Sequence, residues 1–263
     1  MTNPKNIENS RRAFAVDAKQ LDAIAAAGRA VYGLLEAKKI TLKAARANSL
    51  YIKASDHNKK LKKTARDHWY IFNLPAVITC PGATPDCIKY CYARKAEKMY
   101  PSANKRRAIN FITAVQSEFA ERMIYTLYVE LYAAEKRGAR LNVRIHESGD
   151  FFSREYFEKW LTVAAELKTA VSFWNYTKSF DFIYSPAEAA AINSRGSVWA
   201  DTKPADVEKI AALNMPIYTA YTEEEIARRR AAGEKFFKCR CADCSNCRAC
   251  INSNVKTIIC AIH

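Results

Sequence analysis

Nine cysteines, in two groups, are the residues of this 263-residue chain best suited to chemistry. The first group, Cys80, Cys87 and Cys91, follows a short apolar run. The second group lies near the C-terminus and comprises Cys239, Cys241, Cys244, Cys247 and Cys250, with Cys260 just beyond it. Because the N-terminus is polar and unlike a signal peptide, we expect a cytoplasmic protein. Thiols in a reducing compartment bind metals more readily than they form disulfides.

The first group has the spacing Cys80-x6-Cys87-x3-Cys91, in a loop after a predicted strand. Structural zinc sites usually have four protein ligands, whereas three thiolates can hold a [4Fe–4S] cluster and leave one iron open to a further ligand. The prolines and glycine of this segment indicate an irregular loop. We therefore predict an iron–sulfur cluster here, with a zinc site completed by His146 as the alternative.

The second group has cysteines separated by two residues, and this spacing is similar to that of bacterial ferredoxins. The repeat is Cys241-x2-Cys244-x2-Cys247-x2-Cys250. We predict a second iron–sulfur cluster, of the [4Fe–4S] type by analogy with the first, and zinc with His263 as a nitrogen ligand is the alternative. Three cysteines remain candidates for the fourth ligand: Cys239, Cys250 and Cys260.

Polar residues follow the second and third predicted strands. His146, Glu147 and Asp150 come after the second strand, and Lys178 comes after the third. Because the carboxyl ends of parallel strands form the active-site face of α/β barrels, we expect these side chains to lie near the first cysteine group. We assign His146 either to acid–base catalysis or to ordering a ligand, and Glu147 and Asp150 to holding an amine. Lys178 would bind a phosphate or carboxylate. The alternative is that they are ordinary polar loop residues.

Short apolar runs alternate with helical periodicity from residue 71 onward. Strands are predicted at 71–79, 141–146, 170–176, 197–200, 217–220 and 257–262, and helices at 104–137, 153–168, 186–192, 204–213 and 222–232. Six strands alternating with helices predict a parallel sheet, and no Gly-x-Gly-x-x-Gly follows any of them. We therefore predict an α/β fold, a partial (β/α)6 TIM-like barrel, in preference to a doubly wound sheet.

The net positive charge is concentrated in the N-terminal part of the chain. The formal net charge is +15, and residues 1–70 contain 15 Lys and Arg against 6 Asp and Glu. We predict a basic helical N-terminal region at 1–70, the partial barrel with the first cysteine group at 71–235, and a C-terminal cysteine-rich metal-binding segment completing the barrel at 236–263. The basic region favours nucleic acid as a partner, and residues 41–63 faintly resemble a helix-turn-helix. No apolar run is long enough to predict a membrane span.

Several motifs resemble the phage gene product 88 family. They are Thr79-Cys80-Pro81-Gly82, Cys91-Tyr92-Ala93-Arg94-Lys95, the segment 143–151 and the C-terminal cysteine run. The resemblance covers roughly residues 70–263 and implies a phage or mobile-element context. It also implies that Cys241, Cys244 and Cys247 are the central ligands of the second cluster. It supplies no substrate.

A cysteine loop after the first strand of a partial barrel also resembles the radical S-adenosylmethionine superfamily, more distantly. That resemblance implies S-adenosylmethionine bound at the open iron, with Tyr90 or Tyr92 near its adenine. Ser148, Gly149 and Asp150 would then contact its amino group. The superfamily usually spaces its cysteines x3 and then x2, which differs from the spacing here.

These observations lead to three functional hypotheses. The first is an iron–sulfur enzyme that resembles radical S-adenosylmethionine proteins and acts on or near nucleic acid. The second is a non-catalytic iron–sulfur regulator or nucleic-acid-binding protein. The third is a zinc-stabilised interaction protein that blocks a host factor. Iron, sulfide and zinc content distinguishes the third from the other two.

Overall fold

The computed structural model describes residues 17–55, 60–61, 64, 66–240, 243–252 and 254–262. Across these residues, seven parallel strands form one α/β sheet in the order β1-β2-β3-β4-β5-β7-β6, curled into a half-barrel. The strands are β1 (Asp67–Phe72), β2 (Arg140–Ile145), β3 (Val171–Thr177), β4 (Ser194–Val198), β5 (Ile217–Tyr221), β6 (Phe237–Cys239) and β7 (Thr257–Ala261). β1 and β6 are the two edges of the sheet.

Eleven α-helices accompany the strands in the described part of the chain. They are α1 (Ala18–Glu36), α2 (Leu42–Ala47), α3 (Pro85–Lys89), α4 (Tyr92–Met99), α5 (Pro101–Val115), α6 (Phe119–Glu135), α7 (Arg154–Leu167), α8 (Pro186–Ala191), α9 (Pro204–Ala212), α10 (Glu223–Ala231) and α11 (Cys244–Cys247). Many begin at a side-chain cap; for example, the Ser153 hydroxyl accepts a hydrogen bond from the Tyr156 N–H at the start of α7. None of these helices has the length and apolar character needed to cross a membrane.

Strand residues alternate between the two faces of the sheet, and this alternation separates the core from the site. In β2, Leu141, Val143 and Ile145 are buried in the main core with residues of α6 and α7. Arg144 lies between them in sequence and reaches the opposite face, where it contacts Trp174 of β3. We call the helix-covered side the convex face and the side of Arg144 the concave face.

The N-terminal helices pack on the convex side. α1 crosses α6 so closely that a Cβ added at Gly28 would lie 2.6 Å from the ring of Tyr128. The buried carboxylate of Glu130 in α6 accepts hydrogen bonds from Arg46 and Tyr51 and lies 2.7 Å from His68 Nε2 in β1. These contacts join residues 18–51 to the sheet and its helices.

Several predicted elements differ from the structure. β1 lies at Asp67–Phe72 rather than 71–79, because the chain turns after Asn73, whose side chain accepts the Glu147 N–H at 2.7 Å. The helix predicted over 104–137 is two helices, since the backbone becomes extended at Gln116. β4 begins three residues before the predicted strand, and β6 was not predicted.

The predicted helix-turn-helix is wrong where the chain is described. Leu42–Ala47 is helical, with Thr41 as its N-cap. Residues 51–55 are not helical. Residues 56–59 and 62–63, on which the rest of the second helix was predicted, lie outside the described residues.

Candidate functional site

The loop that carries the first cysteine group crosses the carboxyl ends of several strands, as predicted from the sequence. Next to β2, the Leu74 N–H donates to Ser148 O at 2.9 Å, and the Asp150 N–H donates to Thr79 O at 3.1 Å. A Cβ at Gly149 would lie 2.5 Å from the Leu74 Cβ, and its φ is +79°. The loops after β1 and β2 therefore approach so closely that glycine is required between them.

The same loop continues across β3 and β4. A Cβ at Gly82 would lie 2.1 Å from Lys178 O, at the end of β3. The Asp86 N–H, in the first turn of α3, donates to Asp201 Oδ2 beyond β4 at 2.8 Å. Residues 74–91 are thus held against the carboxyl ends of four neighbouring strands.

Cys80, Cys87 and Cys91 line one cavity of about 350 Å³ at this edge of the sheet. Burial, with a smaller contribution from the nearby charge of Asp150, raises the pKa of Cys80 to about 12. Burial also raises the pKa of Cys87, although the ammonium of Lys178 opposes the shift. Thiols in this environment are protonated at neutral pH. Their joint deprotonation needs a cation, such as a metal ion, close to them.

The cysteines share this cavity without converging on a point. Among the described residues, no three His, Cys, Asp or Glu side chains are close enough together to hold a metal ion. Cys91 is the N-cap of α4, where its sulfur accepts the Arg94 N–H at 3.4 Å. The chemistry of the donors fits a thiophilic metal, and coordination would require the side chains to turn toward a common position.

The second cysteine group lies on the concave face, below the first. Cys239, Cys244 and Cys250 line a cavity of about 640 Å³, together with Arg144 and Tyr176. Burial and the neighbouring thiols of Cys250 and Cys239 raise the pKa of Cys244 to about 11. The Tyr176 hydroxyl donates to the Cys250 sulfur at 2.6 Å. The structure therefore groups three thiols of the second set around polar side chains of β2 and β3.

This grouping differs from the trio implied by the family resemblance. Cys247 is exposed and does not line the cavity of about 640 Å³, but it lines a second cavity, of about 780 Å³, together with Cys239, Cys244 and Cys250. Cys241 lies outside the described residues. Cys260 of β7 is the register partner of Cys239 in β6, and it lines the cavity of the first group instead.

A fully buried arginine organises the second group. The guanidinium of Arg195 in β4 donates to Cys250 O at 2.9 Å and to Ala249 O at 3.1 Å. It also donates to Asn252 O at 2.6 Å and Val255 O at 2.7 Å. One side chain of the sheet thus fixes four carbonyl groups of the loop between α11 and β7.

His146, predicted as an acid–base group, is one of the residues that line the first cavity, but its ring is buried against the core. Its backbone has a φ of 60°, and its ring packs against Phe151 and Tyr156. Nε2 lies 2.9 Å from the Tyr156 hydroxyl. Burial, helped by the positive charge of Arg144, lowers the pKa of His146 to about 3, so the imidazole is neutral.

The predicted amine-binding turn is engaged within the protein. The Ser148 hydroxyl donates to Leu74 O at 2.8 Å. The buried Asp150 carboxylate accepts the Thr177 hydroxyl at 2.7 Å, and the N–H groups of Lys178 and Phe151 at 2.8 Å each. Burial raises the pKa of Asp150 despite these bonds. These hydrogen bonds join the turn at residues 148–150 to the loop after β1 and to the carboxyl end of β3.

The remaining predicted residues line the cavity. Lys178 is buried, its ammonium donates to Ser197 O at 2.5 Å, and burial lowers its pKa. The Tyr92 hydroxyl donates to the backbone oxygen of Glu147 at 2.7 Å. Lys178, Tyr92 and Glu147 all line the first cavity.

Tyr90 forms an aromatic platform at the rim of the first cavity. Its ring is parallel to that of Trp199, with centroids 5.7 Å apart. Trp199 was not predicted as a site residue from the sequence. Arg144 and Tyr218 of the concave face were also missed, and the signal for Arg144 was a charged residue between two apolar residues of a predicted strand.

The fold and the site together identify the class of protein. It is a cysteine-rich α/β protein, in which a half-barrel of parallel strands carries two sets of thiols on its concave side. The model of the Gene product 88 family matches residues 42–253, and this chain therefore belongs to that family. The family predicted from the sequence is confirmed, and the two relatives described below are phage proteins.

Two relatives are described only as Gene 88 proteins. That of Mycobacterium phage D29 is 27% identical over 194 residues, which are 66% of this chain and 78% of the relative. That of Mycobacterium phage L5 is 33% identical over 105 residues, which are 38% of this chain and 43% of the relative. No solved structure matches the chain significantly. These comparisons give no support to the resemblance to radical S-adenosylmethionine enzymes.

Proposed function

We propose that this chain is an iron–sulfur protein whose first cysteine group is the site of its chemistry. The observation that carries the proposal is that three thiols of one loop line a single cavity at the carboxyl edge of a parallel sheet. This edge is where α/β barrel proteins place their active sites. A cluster bound there would supply one-electron chemistry.

The surrounding residues suit a thiolate site. Lys178 is buried beside Cys87, and its charge favours the thiolate over the thiol. Cys80, Cys87 and Cys91 are the ligands in this proposal. Asp150 acts on the site indirectly, because it fixes the strand ends that the cysteine loop crosses.

S-adenosylmethionine as the bound cofactor has weaker support than the metal. The stacked pair of Tyr90 and Trp199 offers a surface for a flat ring at the cavity rim. Ser148 and Asp150, however, already use their polar atoms within the protein. The cofactor would therefore have to be held by other groups of the cavity.

In this proposal, the second cysteine group holds an auxiliary cluster or a zinc ion. Cys239, Cys244 and Cys250 surround one cavity, with Cys241 as a further ligand from outside the described residues. Nucleic acid as the substrate remains a proposal that rests on the net charge of +15.

The test is metal analysis of anaerobically purified full-length protein and two matched triple variants. One carries Cys80→Ser, Cys87→Ser and Cys91→Ser. The other carries serine at 239, 244 and 250. Each removes three thiols, so each is the control for the other. Iron, sulfide and zinc are measured, and electron paramagnetic resonance spectra are recorded with dithionite, with and without S-adenosylmethionine.

We expect the first triple variant to lose iron and sulfide equivalent to one cluster and to retain the metal of the second group. Iron content that is unchanged in this variant, while its circular dichroism is unchanged, would refute the proposal. A parent protein that contains zinc and neither iron nor sulfide would refute it as well. A spectral change caused by S-adenosylmethionine, together with release of 5′-deoxyadenosine, would extend it to the radical mechanism.

A further inference from the structure

We propose that the cleft between the two cysteine groups binds a small anion, a carboxylate or a phosphate group, and that Arg144 is its anchor. The inference does not depend on which metal the thiols hold. It starts from Arg144 of β2, which is only 5% exposed and lines both cavities.

Two nitrogen atoms of the Arg144 guanidinium, Nε and Nη1, are buried and have no hydrogen-bond acceptor among the described residues. A buried donor that is left unpaired is unfavourable, and more so when the group is charged. These two N–H groups therefore favour an added acceptor in the cleft.

The neighbouring aromatic rings hold Arg144 in place without supplying that acceptor. Its guanidinium carbon lies 3.8 Å from the ring centroid of Trp174 and 4.2 Å from that of Tyr176. Tyr176 stacks in turn on Tyr218 of β5, at 4.1 Å between centroids. Rings attract a cation through their faces, and they leave the in-plane N–H donors available to an acceptor.

An anion bound in the cleft would supply the acceptor that the buried Nε and Nη1 atoms of Arg144 lack.

The cleft has room for such a ligand. Arg144 lines both the cavity of about 350 Å³ and the cavity of about 640 Å³. Six residues line both cavities and mark where they meet: Lys60, Tyr92, Arg144, Glu147, Tyr176 and Tyr218. An anion bound at Arg144 would place the rest of its molecule next to the first cysteine group.

The test is calorimetric titration of the full-length protein, as isolated, with sodium phosphate and separately with sodium succinate at constant ionic strength. The variants are Arg144→Lys and, as the matched control, Arg140→Lys. Arg140 lies in the same strand but is exposed. Circular dichroism melting establishes that each variant is folded.

We expect saturable binding of at least one anion to the parent and to the Arg140 variant. Because lysine cannot form a forked pair with a carboxylate or phosphate, Arg144→Lys should weaken that binding by about tenfold or more. Binding of phosphate alone assigns the ligand to phosphate esters, and binding of succinate alone assigns it to carboxylates.

Two results would overturn the inference. The first is no saturable binding of either anion to the parent. The second is binding that Arg144→Lys leaves unchanged in a folded protein. If the parent binds neither anion and Arg144→Lys loses metal from the second cysteine group, the partner of Arg144 is the metal–thiolate centre. The iron and sulfide measurements described above can fail while the anion titration succeeds, so the two proposals are tested separately.

Discussion

Replacing Arg195 by methionine should release the loop that carries Cys250 while the rest of the protein stays folded. Arg195 donates to four carbonyl groups of this loop, at 2.6 to 3.1 Å. A hydrogen bond from a charged group contributes about 1.5–3 kcal/mol, but burying the guanidinium costs several kcal/mol in return. We therefore expect the free energy of local opening to fall by about 3 kcal/mol, which is roughly a hundredfold in the opening equilibrium.

The assay is alkylation by iodoacetamide in the presence of a chelator, with the rate at each cysteine followed by mass spectrometry. Cys250 should react about a hundredfold faster in Arg195→Met than in the parent, in proportion to the opening equilibrium. Arg195→Lys should give an intermediate rate, because an ammonium has three donors for four carbonyls. Cys80 and Cys87 are internal controls, since they lie in the other cysteine group.

Two outcomes would refute this reasoning. An unchanged rate at Cys250 in a folded Arg195→Met protein would mean that the four hydrogen bonds do not hold the loop closed. An equal increase at Cys80 would mean that the substitution loosens the whole fold. In that case the role of Arg195 would be global stability and not the position of the second cysteine group.

Three further predictions concern buried ionisable side chains. Lys178→Met should slow alkylation of Cys87 at pH 8 several-fold, because the lysine charge lowers the pKa of that thiol. His146→Gln should reduce the loss of stability on acidification. In the parent, the pKa of His146 is about 3 in the folded state and 6.5 in the unfolded state, so the free energy of unfolding should fall by about 2–3 kcal/mol between pH 6.5 and pH 4.5. Urea titrations at a series of pH values measure this loss. Glu130→Gln should lower the free energy of unfolding by about 2 kcal/mol at pH 7, since a neutral amide cannot pair with Arg46.

Controls and contrary results differ among the three. Lys203→Met, at an exposed lysine, should leave the Cys87 rate unchanged, and an equal slowing in both variants would contradict the first prediction. For His146, parallel stability curves of parent and variant between pH 6.5 and 4.5 would contradict the second. For Glu130, burial raises the carboxyl pKa, but hydrogen bonds from His68 and Arg46 outweigh burial and lower it to about 2. The parent should therefore keep this contribution down to about pH 4.5, and an unfolding free energy equal to that of the glutamine variant at pH 7 would contradict the third.

The order of strands and helices followed from local sequence patterns. Alternation in β2 and helical periodicity in α7 reflect the burial of one face of each element, and the free energy of that burial depends on residues close in sequence. The predicted strand at 71–79 was wrong because its end depends on Asn73. This side chain accepts N–H groups from residues 147 and 148, more than seventy positions away.

The sequence by itself determined that this is a parallel α/β protein with a cysteine-bearing loop at the carboxyl edge of its sheet. Only the tertiary structure decided which side chains meet there. The curl of the sheet brings Cys239 and Cys250 together beside Arg144, and the imidazole of His146, a residue with positive φ, packs against Phe151 and Tyr156. Such contacts depend on strand order and on the direction of each side chain, and these are set by packing between residues distant in sequence.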